Sequence, residues 1–421
     1  MRIAVWHNLP SGGAKRGLYD HVRGLLSRGH HVEVWCPSTA DRKFLALDGL
    51  VREHVLPMEW DLPRPKGRLE ELRAPYRSWT HRIQALHRHC QECAAEINQG
   101  GFDLLFGNTS MLTAVAPIAQ YVKLPSVLYL QEPHRALYEA SAGQLWIAPR
   151  ADAPRRRGPR GWLDFSADLI RLQGLRVIAR EELEGARAFD RILVNSYFSR
   201  ESVLRAYGLD SQVSYMGVDT ELFQDRGRER EGFVVGVGAF APAKNIELAI
   251  RAIGAIPEPR PRLVWAGNAT VGDYLERLRG LAHSLHVDLE AAPVAPGEDL
   301  VQLLNRASLM IYTPRLEPFG LAPLEANACG VPVVAIAEGG LRETVVNGVN
   351  GAVVAPDPAV LGEAVAQLLQ DRQRASRLRT QCRQFVEAGW TLAHGTDNLE
   401  RHLLEVARTQ NPAELVGSVL P

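Results

Sequence analysis

The chain has 421 residues, of which 46% are hydrophobic, and this length and composition predict about two globular domains rather than one core or a disordered chain. The 48 basic side chains balance 48 acidic ones, so the formal net charge is zero. Nucleic-acid-binding proteins normally carry a basic surface, and nucleic acid is therefore not expected as a partner.

The cysteine count and the apolar runs indicate the compartment. Five cysteines, an odd number scattered through a long chain, predict no disulfide framework, which fits a reducing cytoplasm. The N-terminus "MRIAVWHNLP" has too short an apolar run for a signal peptide, and no stretch approaches the roughly 18 residues of a membrane span. The sequence predicts a cytoplasmic protein and leaves peripheral contact with a membrane surface open.

In chain order, short apolar runs alternate with helical patterns, which is typical of βα units and a parallel sheet. Predicted strands of a first sheet lie at 3–6, 31–36, 102–106, 126–130 and 191–194. The pattern restarts with the run "FVVGVG" and continues with predicted strands at 233–238, 262–267, 309–312 and 331–336. Two α/β sheets are the simplest interpretation, and the charged stretch 223–232 is the candidate boundary.

Two segments rich in Pro and Arg interrupt the alternation, at 57–82 and 146–162, and both are predicted to be insertions or long loops. The second contains "PRRRGPR" close to Trp146, Trp162 and Phe165. A solvated loop is the favoured interpretation there, and contact with anionic lipid or a charged acceptor is the alternative. Near the C-terminus, helical spacing predicts a last amphipathic helix.

The segment from 314 to 340 places two carboxylates, Glu317 and Glu325, around a Phe-Gly pair. Glu317 is predicted to lie in the loop after strand 309–312, and a helix is predicted to begin near Leu321. The backbone N–H groups there would point to the carboxyl ends of the strands, where open α/β sheets bind ligands. Two carboxylates with free N–H groups suit a sugar joined to a ribose. Two solvent-facing glutamates are the alternative.

This segment, "EPFGLAPLEANACGVPVVA…GG", resembles the E-x7-E signature of the retaining glycosyltransferases of family 4. Other stretches resemble that family's landmarks in the family's order, and together they cover most of the chain: "GGAKR", "EPHRALYE", "RILVNSYFSRES", "GVDTELF" and "ETVVNGVNGAVV". The likeness is specific for fold and class but not for substrate.

The resemblance implies the GT-B fold, an α/β architecture in which two Rossmann-like domains face each other across a cleft. Residues 1–215 would form the acceptor-side domain, and 216–388 the domain that binds the nucleotide sugar. In such a fold the C-terminal helix crosses back to the N-terminal domain, and residues 389–421 are assigned to that return.

The resemblance also implies roles for the donor-binding residues of the second domain. Glu317 would hydrogen-bond the donor sugar's hydroxyls, and the backbone amides of Phe319, Gly320 and Leu321 would hold it. Glu325 would take the hydroxyls of the ribose.

Further roles concern the diphosphate. Gly12 and Gly13 lie where the family's glycine loop meets the diphosphate, and glycine permits close approach of the backbone. Lys244 would neutralise the diphosphate as it leaves, which is a large part of catalysis in a transfer of this kind.

Two positions depart from the family pattern. Ala239 stands where the family usually has Arg, so one phosphate cation is missing, and Lys15, Arg16 and Arg315 are candidates to supply the charge. Gln131 stands where family members commonly carry His, and Gln can donate to a sugar hydroxyl but cannot titrate.

The expected function is transfer of a hexose-type sugar from a nucleotide diphosphate to an acceptor hydroxyl on a glycan, a lipid-linked molecule or a small molecule, with retention of anomeric configuration. No metal or other cofactor is expected. One alternative is a non-catalytic relative that acts as a binding or scaffold protein, motivated by Ala239 and Gln131. An epimerase or phosphorylase on the same fold is a further one. The donor base and sugar, the acceptor and the oligomeric state are not determined by these residues.

Overall fold

The computed structural model describes residues 1–60, 68–139, 158–267, 269–293 and 297–409, with the backbone alone at 68–77, 372 and 375. The chain divides into two compact units. Unit 1 comprises Met1–Asn195, Arg200–Ser214 and Asp397–Pro421, and unit 2 comprises Ser196–Ser199 and Tyr215–Thr396.

Unit 1 contains a seven-stranded parallel sheet. Its strands β1 to β7, in chain order, are Arg2–Asn8, His31–Pro37, Arg52–Leu56, Leu104–Ser110, Ser126–Tyr129, Arg191–Val194 and Gln212–Val213. They lie side by side in the order β3-β2-β1-β4-β5-β6-β7. The helices between them are α1 Gly13–Ser27, α2 Arg68–Gln99, α3 Arg135–Tyr138, α4 Pro159–Arg187 and α5 Tyr197–Tyr207, and a 3₁₀ turn lies at Pro117–Gln120. The first three residues of α5 belong to unit 2, and the helix belongs to unit 1 from Arg200 onward.

Unit 2 contains a six-stranded parallel sheet. Its strands β8 to β13 are Val234–Val237, Leu263–Ala266, Leu289–Ala292, Leu309–Tyr312, Val333–Ile336 and Gly351–Val354, in the order β10-β9-β8-β11-β12-β13. Its helices are α6 Ile246–Gly254, α7 Tyr274–Ser284, α8 Glu298–Arg306, α9 Leu321–Ala328, α10 Leu341–Thr344, α11 Pro358–Gln370 and α12 Arg372–Gly389, and a 3₁₀ turn lies at Pro242–Lys244. The last helix, α13 Leu392–Thr409, begins in unit 2 and belongs to unit 1 from Asp397 onward.

Both sheets have the strand order of a Rossmann fold, 3-2-1-4-5-6 in each unit's own numbering, with β7 added at the edge of the first. The continuous apolar runs that predicted the strands are buried because helices connect parallel strands over the two faces of such a sheet. The prediction of two Rossmann-like α/β sheets is thereby confirmed. The order reverses between β1 and β4 in unit 1 and between β8 and β11 in unit 2.

Residues 68–82 are helical, so the loop interpretation of 57–82 was wrong for them, whereas the insertion interpretation stays a prediction. Helix α2 extends from Arg68 to Gln99 and includes Pro75. Its C-terminal half packs into the core of unit 1, where Cys90 and Cys93 are fully buried. The prediction of a loop at 146–162 falls mostly on residues outside the described part, Trp146 among them. Residues 159–162 belong to α4, a 29-residue helix that the alternation of short runs did not indicate.

The predicted last helix is confirmed: α13 buries Leu399, Leu403 and Val406. The residues after Thr409 lie outside the described part. Within that part, no helix is both long enough and apolar enough to span a bilayer.

A buried carboxylate, Glu182 of α4, links three parts of unit 1. Its Oε1 accepts the backbone N–H of Ala114 at 2.6 Å, and its Oε2 accepts the hydroxyl of Tyr207 at 3.1 Å. Burial raises the pKa of Glu182 to about 7, although these two donors act in the opposite direction.

The raised pKa makes stability depend on pH. In the folded state Glu182 holds its proton up to about pH 7, whereas the unfolded chain releases it near pH 4.5, so its contribution to stability falls as pH rises between these values. We predict that Glu182→Gln removes this term, so that the Tm of the variant relative to the wild type is several °C higher at pH 8 than at pH 5. Calorimetry of both proteins at the two pH values would contradict this if the Tm differences were equal.

Candidate active site

The site residues of unit 2 lie where the strand order of its sheet reverses. Strands β8 and β11 are neighbours, and Lys244 and Glu317 lie in the segments that follow them. Parallel α/β sheets bind ligands at this point because the loops after the two strands diverge to opposite faces and leave a crevice. Lys244 Nζ lies 3.0 Å from Glu317 Oε2, although 73 residues separate the two in the chain.

Local backbone geometry positions Lys244. It ends the 3₁₀ turn Pro242–Lys244, and Asn245, in the left-handed region with φ 49°, directs the chain into α6. The hydroxyl of Thr313, just after β11, donates to the carbonyls of Lys244 and Asn245 at 3.3 and 3.1 Å. The lysine backbone is therefore attached to the neighbouring strand's loop.

The loop that carries Glu317 is held by close backbone contacts. The N–H of Gly340 donates to the Glu317 carbonyl at 2.8 Å, and a Cβ added at Gly339 would lie 2.2 Å from that oxygen. The hydroxyl of Ser196 donates to the Pro318 carbonyl at 2.5 Å. Leu316 has a positive φ of 50°, which a branched side chain rarely adopts. Such strain persists only where the surroundings fix the backbone.

Helix α9 begins at Leu321, as the sequence predicted, with Pro323 in its first turn. Gly320 precedes it with φ 104°, a conformation that favours glycine. The first N–H groups of a helix have no intrahelical acceptor and carry partial positive charge. Glu325 lies one turn further on and is 5% exposed.

Charge at this edge of the sheet is partly shielded from water. The side chains of Lys244 and Glu317 are 29% and 16% exposed. Burial raises the pKa of Tyr312, the last residue of β11, and the carboxylate of Glu317 adds to the shift. Lys244 and Glu317 therefore neutralise each other's charge while both side chains keep some exposed surface that a ligand can reach.

Position 239 and Arg315 are the two places near this pair where the sequence raised the question of a further cation. Ala239, where the resemblance expected Arg, is half-buried in the loop after β8. Arg315 points largely into solvent, with 67% of its side chain exposed and its Nε 3.9 Å from Glu338. Whether Arg315 contacts a phosphate stays a prediction.

The site residues predicted in unit 1 lie together around the start of α1. Gly12 has φ 140° and Gly13 opens the helix, and a Cβ at either would meet nothing within 4 Å. Gln131 donates to the carbonyl of Ala14 at 3.4 Å. Arg16 is half-buried on the same turn. These residues surround an open turn at the carboxyl end of β1.

Lys15 differs from the other predicted phosphate contacts because its side chain is buried inside unit 1. Burial lowers its pKa, while the nearby carboxylate of Glu53 acts in the opposite direction. His7, Cys36 and Glu53 also lie there, with one potential metal-ligand atom each within 4.8 Å of the others. Arg42 Nε donates to Glu53 Oε2 at 2.7 Å. A metal cation would compete with both basic side chains for one carboxylate.

Several residues that support the site were not singled out from the sequence. Glu343 accepts the backbone N–H groups of Tyr197 and Phe198 at 2.9 and 3.1 Å and the hydroxyl of Tyr215 at 2.9 Å, which caps the start of α5. Thr344 donates to the Phe319 carbonyl at 3.3 Å. In the sequence, these residues are marked only by lying in the two stretches "ETVVNGVNGAVV" and "NSYFSRES" that resemble the family. The two stretches are far apart in the chain, so the sequence does not show that the Glu343 carboxylate meets the N-terminus of α5.

We predict that Gly339→Ala destabilises unit 2 far more than Gly348→Ala. Both glycines have positive φ, of 59° and 75°, so both alanines carry backbone strain of about 1 kcal/mol. Only at position 339 does the added Cβ overlap the Glu317 backbone, since nothing lies within 4 Å at position 348. Thermal unfolding of the two variants separates the effect of backbone strain, which both share, from the effect of steric overlap, which only Gly339→Ala has. Equal losses of Tm would contradict a tight contact between position 339 and the Glu317 backbone.

Comparison with known families agrees with this geometry. Residues 11–222 match the family described as "Glycosyltransferase Family 4", and residues 218–385 match "Glycosyl transferases group 1". A D-inositol 3-phosphate glycosyltransferase of Acidothermus cellulolyticus is 31% identical over 271 residues, which are 58% of this chain and 60% of that protein. An alpha-1,3/1,6-mannosyltransferase of Rhizomucor pusillus is 29% identical over a match that covers 44% of this chain and 48% of that protein.

The match thus spans about half to three fifths of the length of these curated relatives. Among solved structures, Anabaena HepE in complex with UDP and glucose is similar with a TM-score of 0.67 and 20% identity, covering 95% of this chain and 98% of its own. Sucrose-phosphate synthase from Thermosynechococcus elongatus is similar with a TM-score of 0.68 and 19% identity, and the match covers 96% of this chain and 100% of that one. The fold class is therefore GT-B, and the chain belongs to the family 4 type of glycosyltransferases.

Proposed function

We propose that this protein is a retaining glycosyltransferase that moves a hexose-type sugar from a nucleotide diphosphate to an acceptor hydroxyl. The observation that carries the proposal is the 3.0 Å contact between Lys244 Nζ and Glu317 Oε2. It lies where the strand order reverses in the second sheet, beside the N-terminus of α9. Family membership supports the same reaction class.

In this proposal Lys244 stabilises the leaving group. As the bond between the sugar carbon and the phosphate oxygen breaks, negative charge grows on the diphosphate, and a fixed ammonium group lowers the energy of that state. An ammonium group has three N–H donors, so Lys244 can donate to a phosphate while it keeps its contact with Glu317. Glu317 in turn accepts hydrogen bonds from sugar hydroxyls.

The remaining donor contacts come from α9 and the residues before it. Its first N–H groups favour an anionic or hydroxyl-rich ligand, because they have no intrahelical acceptor. We assign the amides of Phe319, Gly320 and Leu321 to the sugar and Glu325, one turn further on, to the ribose hydroxyls. Burial of Phe319 at 2% exposure holds this turn in place.

We propose that the reaction needs neither a metal ion nor a titrating side chain from the first unit. The departing phosphate oxygen can accept the proton of the acceptor hydroxyl, which then bonds to the same face of the sugar carbon. Gln131 serves as a hydrogen-bond donor to the sugar and needs no proton exchange. We place the diphosphate near Gly12 and Gly13, where an open turn permits close approach of a phosphate.

The comparisons suggest which donors and acceptors to test. Neighbouring structures of HepE contain UDP or UDP-glucose, and a relative from Mycolicibacterium smegmatis is named a GDP-mannose-dependent mannosyltransferase acting on a phosphatidylinositol monomannoside. We propose a polyol, glycan or lipid-linked acceptor in the cytoplasm, with residues 1–215 on the acceptor side and 216–388 on the donor side. The helix from 389 onward then returns to the acceptor side.

We predict that Glu317→Ala abolishes sugar transfer and that Lys244→Met lowers kcat by at least about a hundredfold, because each removes an interaction with developing charge. Matched controls are Glu363→Ala and Lys123→Met, exposed side chains of the same types on α11 and after the first 3₁₀ turn. Transfer is measured with UDP-glucose and GDP-mannose as donors and myo-inositol as acceptor, and NMR of the product anomer tests retention.

Full activity of Glu317→Ala would refute the site assignment, and an inverted anomer would refute the retaining mechanism. Thermal unfolding with UDP, GDP, ADP, CMP and dTDP gives a readout that is independent of the acceptor. A nucleotide at a hundred times its Kd adds about 2.7 kcal/mol of stability. No shift with any nucleotide and no transfer or donor hydrolysis would refute the proposal in favour of a non-catalytic relative.

A second prediction concerns the missing cation at position 239. Ala239→Arg adds a positive charge in the loop after β8, and we expect a lower KM for the nucleotide sugar by about fivefold to tenfold. Ala239→Gln is the control, since it adds length without charge. Equal effects of Arg and Gln would show that charge at this position does not act on the diphosphate.

A further inference from the structure

Two segments of unit 2 lie side by side at the proposed site. Strands β11 and β12 are parallel neighbours in the sheet, so the segments that follow them start at the same edge. The first segment, residues 316–319, contains Glu317, and the second, residues 338–340, follows β12. Glu338 brings the only side chain of the second segment, because the other two residues are glycines.

The second segment contacts the first at successive positions. The Gly340 N–H donates to the Glu317 carbonyl at 2.8 Å, and a Cβ at Gly340 would lie 2.3 Å from the Pro318 carbonyl oxygen. Glu338 adds a side-chain contact one residue earlier, where its Oε2 accepts the Leu316 N–H at 3.3 Å. The two segments are thereby joined from Leu316 to Pro318.

Leu316 has an unusual backbone conformation. Its φ of 50° lies in the left-handed region, which residues other than Gly, Asn and Asp seldom adopt, because the Cβ then approaches the following carbonyl oxygen. The hydrogen bond to Glu338 favours this conformation, since it requires the Leu316 N–H to point at the carboxylate. The dihedral angles of residue 316 also set the direction in which the chain enters Glu317. A change there would alter the 3.0 Å contact between Glu317 Oε2 and Lys244 Nζ.

The Glu338 carboxylate is shielded from solvent. Its side chain is 18% exposed, against 67% for Arg315, whose Nε lies 3.9 Å from the same Oε2. A shielded carboxylate is costly unless it accepts hydrogen bonds, and the Leu316 N–H supplies one. Both partners, Arg315 and Leu316, directly precede Glu317 in the chain. The carboxylate therefore acts on the part of the loop that carries Glu317.

We propose that Glu338 is a positioning residue for Glu317. Its carboxylate holds the Leu316 N–H, keeps that residue in the left-handed conformation and thereby directs the Glu317 carboxylate to Lys244 and the donor sugar. This role rests on the proposed function of Glu317. The family resemblance gave no role to Glu338, and the carboxylate acts without touching the donor.

The first test measures transfer and donor hydrolysis with UDP-glucose and GDP-mannose, with myo-inositol as the acceptor. We expect Glu338→Ala to lower kcat by about tenfold, because displacement of a positioned group is costly in rate. The KM for the nucleotide sugar is expected to change by less than about twofold, since the other donor contacts remain. Glu338→Gln is expected to keep kcat within about threefold of the wild type, because the amide oxygen still accepts the Leu316 N–H.

The matched control is Asp357→Ala. The Asp357 carboxylate also accepts backbone N–H groups in unit 2, those of Ala359 and Val360 at 2.9 and 3.1 Å, but it does so at the start of α11. Loss of this helix cap is expected to lower the Tm. The kcat is expected to stay at the wild-type value, which separates positioning of Glu317 from general stability.

A double-variant cycle with Leu316→Asn separates positioning from direct contact with the donor. Asparagine adopts a positive φ more readily than leucine, so residue 316 then depends less on its acceptor. We expect Glu338→Ala to lower kcat by less than about threefold in the Leu316→Asn background, against about tenfold in the wild type. The loss of Tm caused by Glu338→Ala is expected to be smaller in that background too, and this measurement needs no turnover.

Three outcomes would overturn the positioning role. The first is an unchanged kcat of Glu338→Ala in a protein that turns over a donor. The second is an equal loss in the two backgrounds of the cycle, in kcat or, where neither donor is turned over, in Tm. The third is an equal loss of kcat in Glu338→Ala and Asp357→Ala. A wild type without transfer or hydrolysis, but with unequal losses of Tm in the cycle, would refute the proposed function and support the coupling of Glu338 to Leu316.

Discussion

The reversal of strand order in the second sheet is the constraint on which the site depends. Because β8 and β11 are neighbours and both are parallel, their C-terminal loops start at the same edge and leave in different directions. Lys244 and Glu317 are thereby brought to 3.0 Å across 73 residues of sequence. The half-burial of both side chains favours pairing, since an unpaired carboxylate at this depth would be costly.

The carboxylates of the chain have different environments and different consequences. Glu317 has a lysine partner and remains accessible to a ligand, whereas Glu343 satisfies backbone N–H groups at the start of α5. Glu182 is buried among neutral donors, so its pKa rises to about 7. Burial and the charge of the partner, rather than residue type, decide which glutamate binds, caps or stays protonated.

Two departures from the family pattern have different structural meanings. Gln131 still donates a hydrogen bond, to the Ala14 carbonyl beside the glycine turn, so it retains a polar role. Ala239 supplies no charge, and the buried Lys15 shares the environment of Glu53 rather than the position of an exposed cation. In the proposed reaction Lys244 is therefore the main cation for the diphosphate, and phosphate contacts of Arg16 and Arg315 stay predictions.

The sequence by itself determined the alternation of strands and helices, the loop position of Glu317 and the start of α9 at Leu321, because apolar runs, Pro and Gly act over a few residues. It did not predict α4, because exposed apolar side chains such as Leu163 and Phe165 obscure the spacing of the buried ones. Only the tertiary structure decided that Lys244 meets Glu317, that Lys15 is buried and that Gly339 contacts the Glu317 backbone. These contacts join segments far apart in the chain, and strand order, which local patterns do not encode, brings them together.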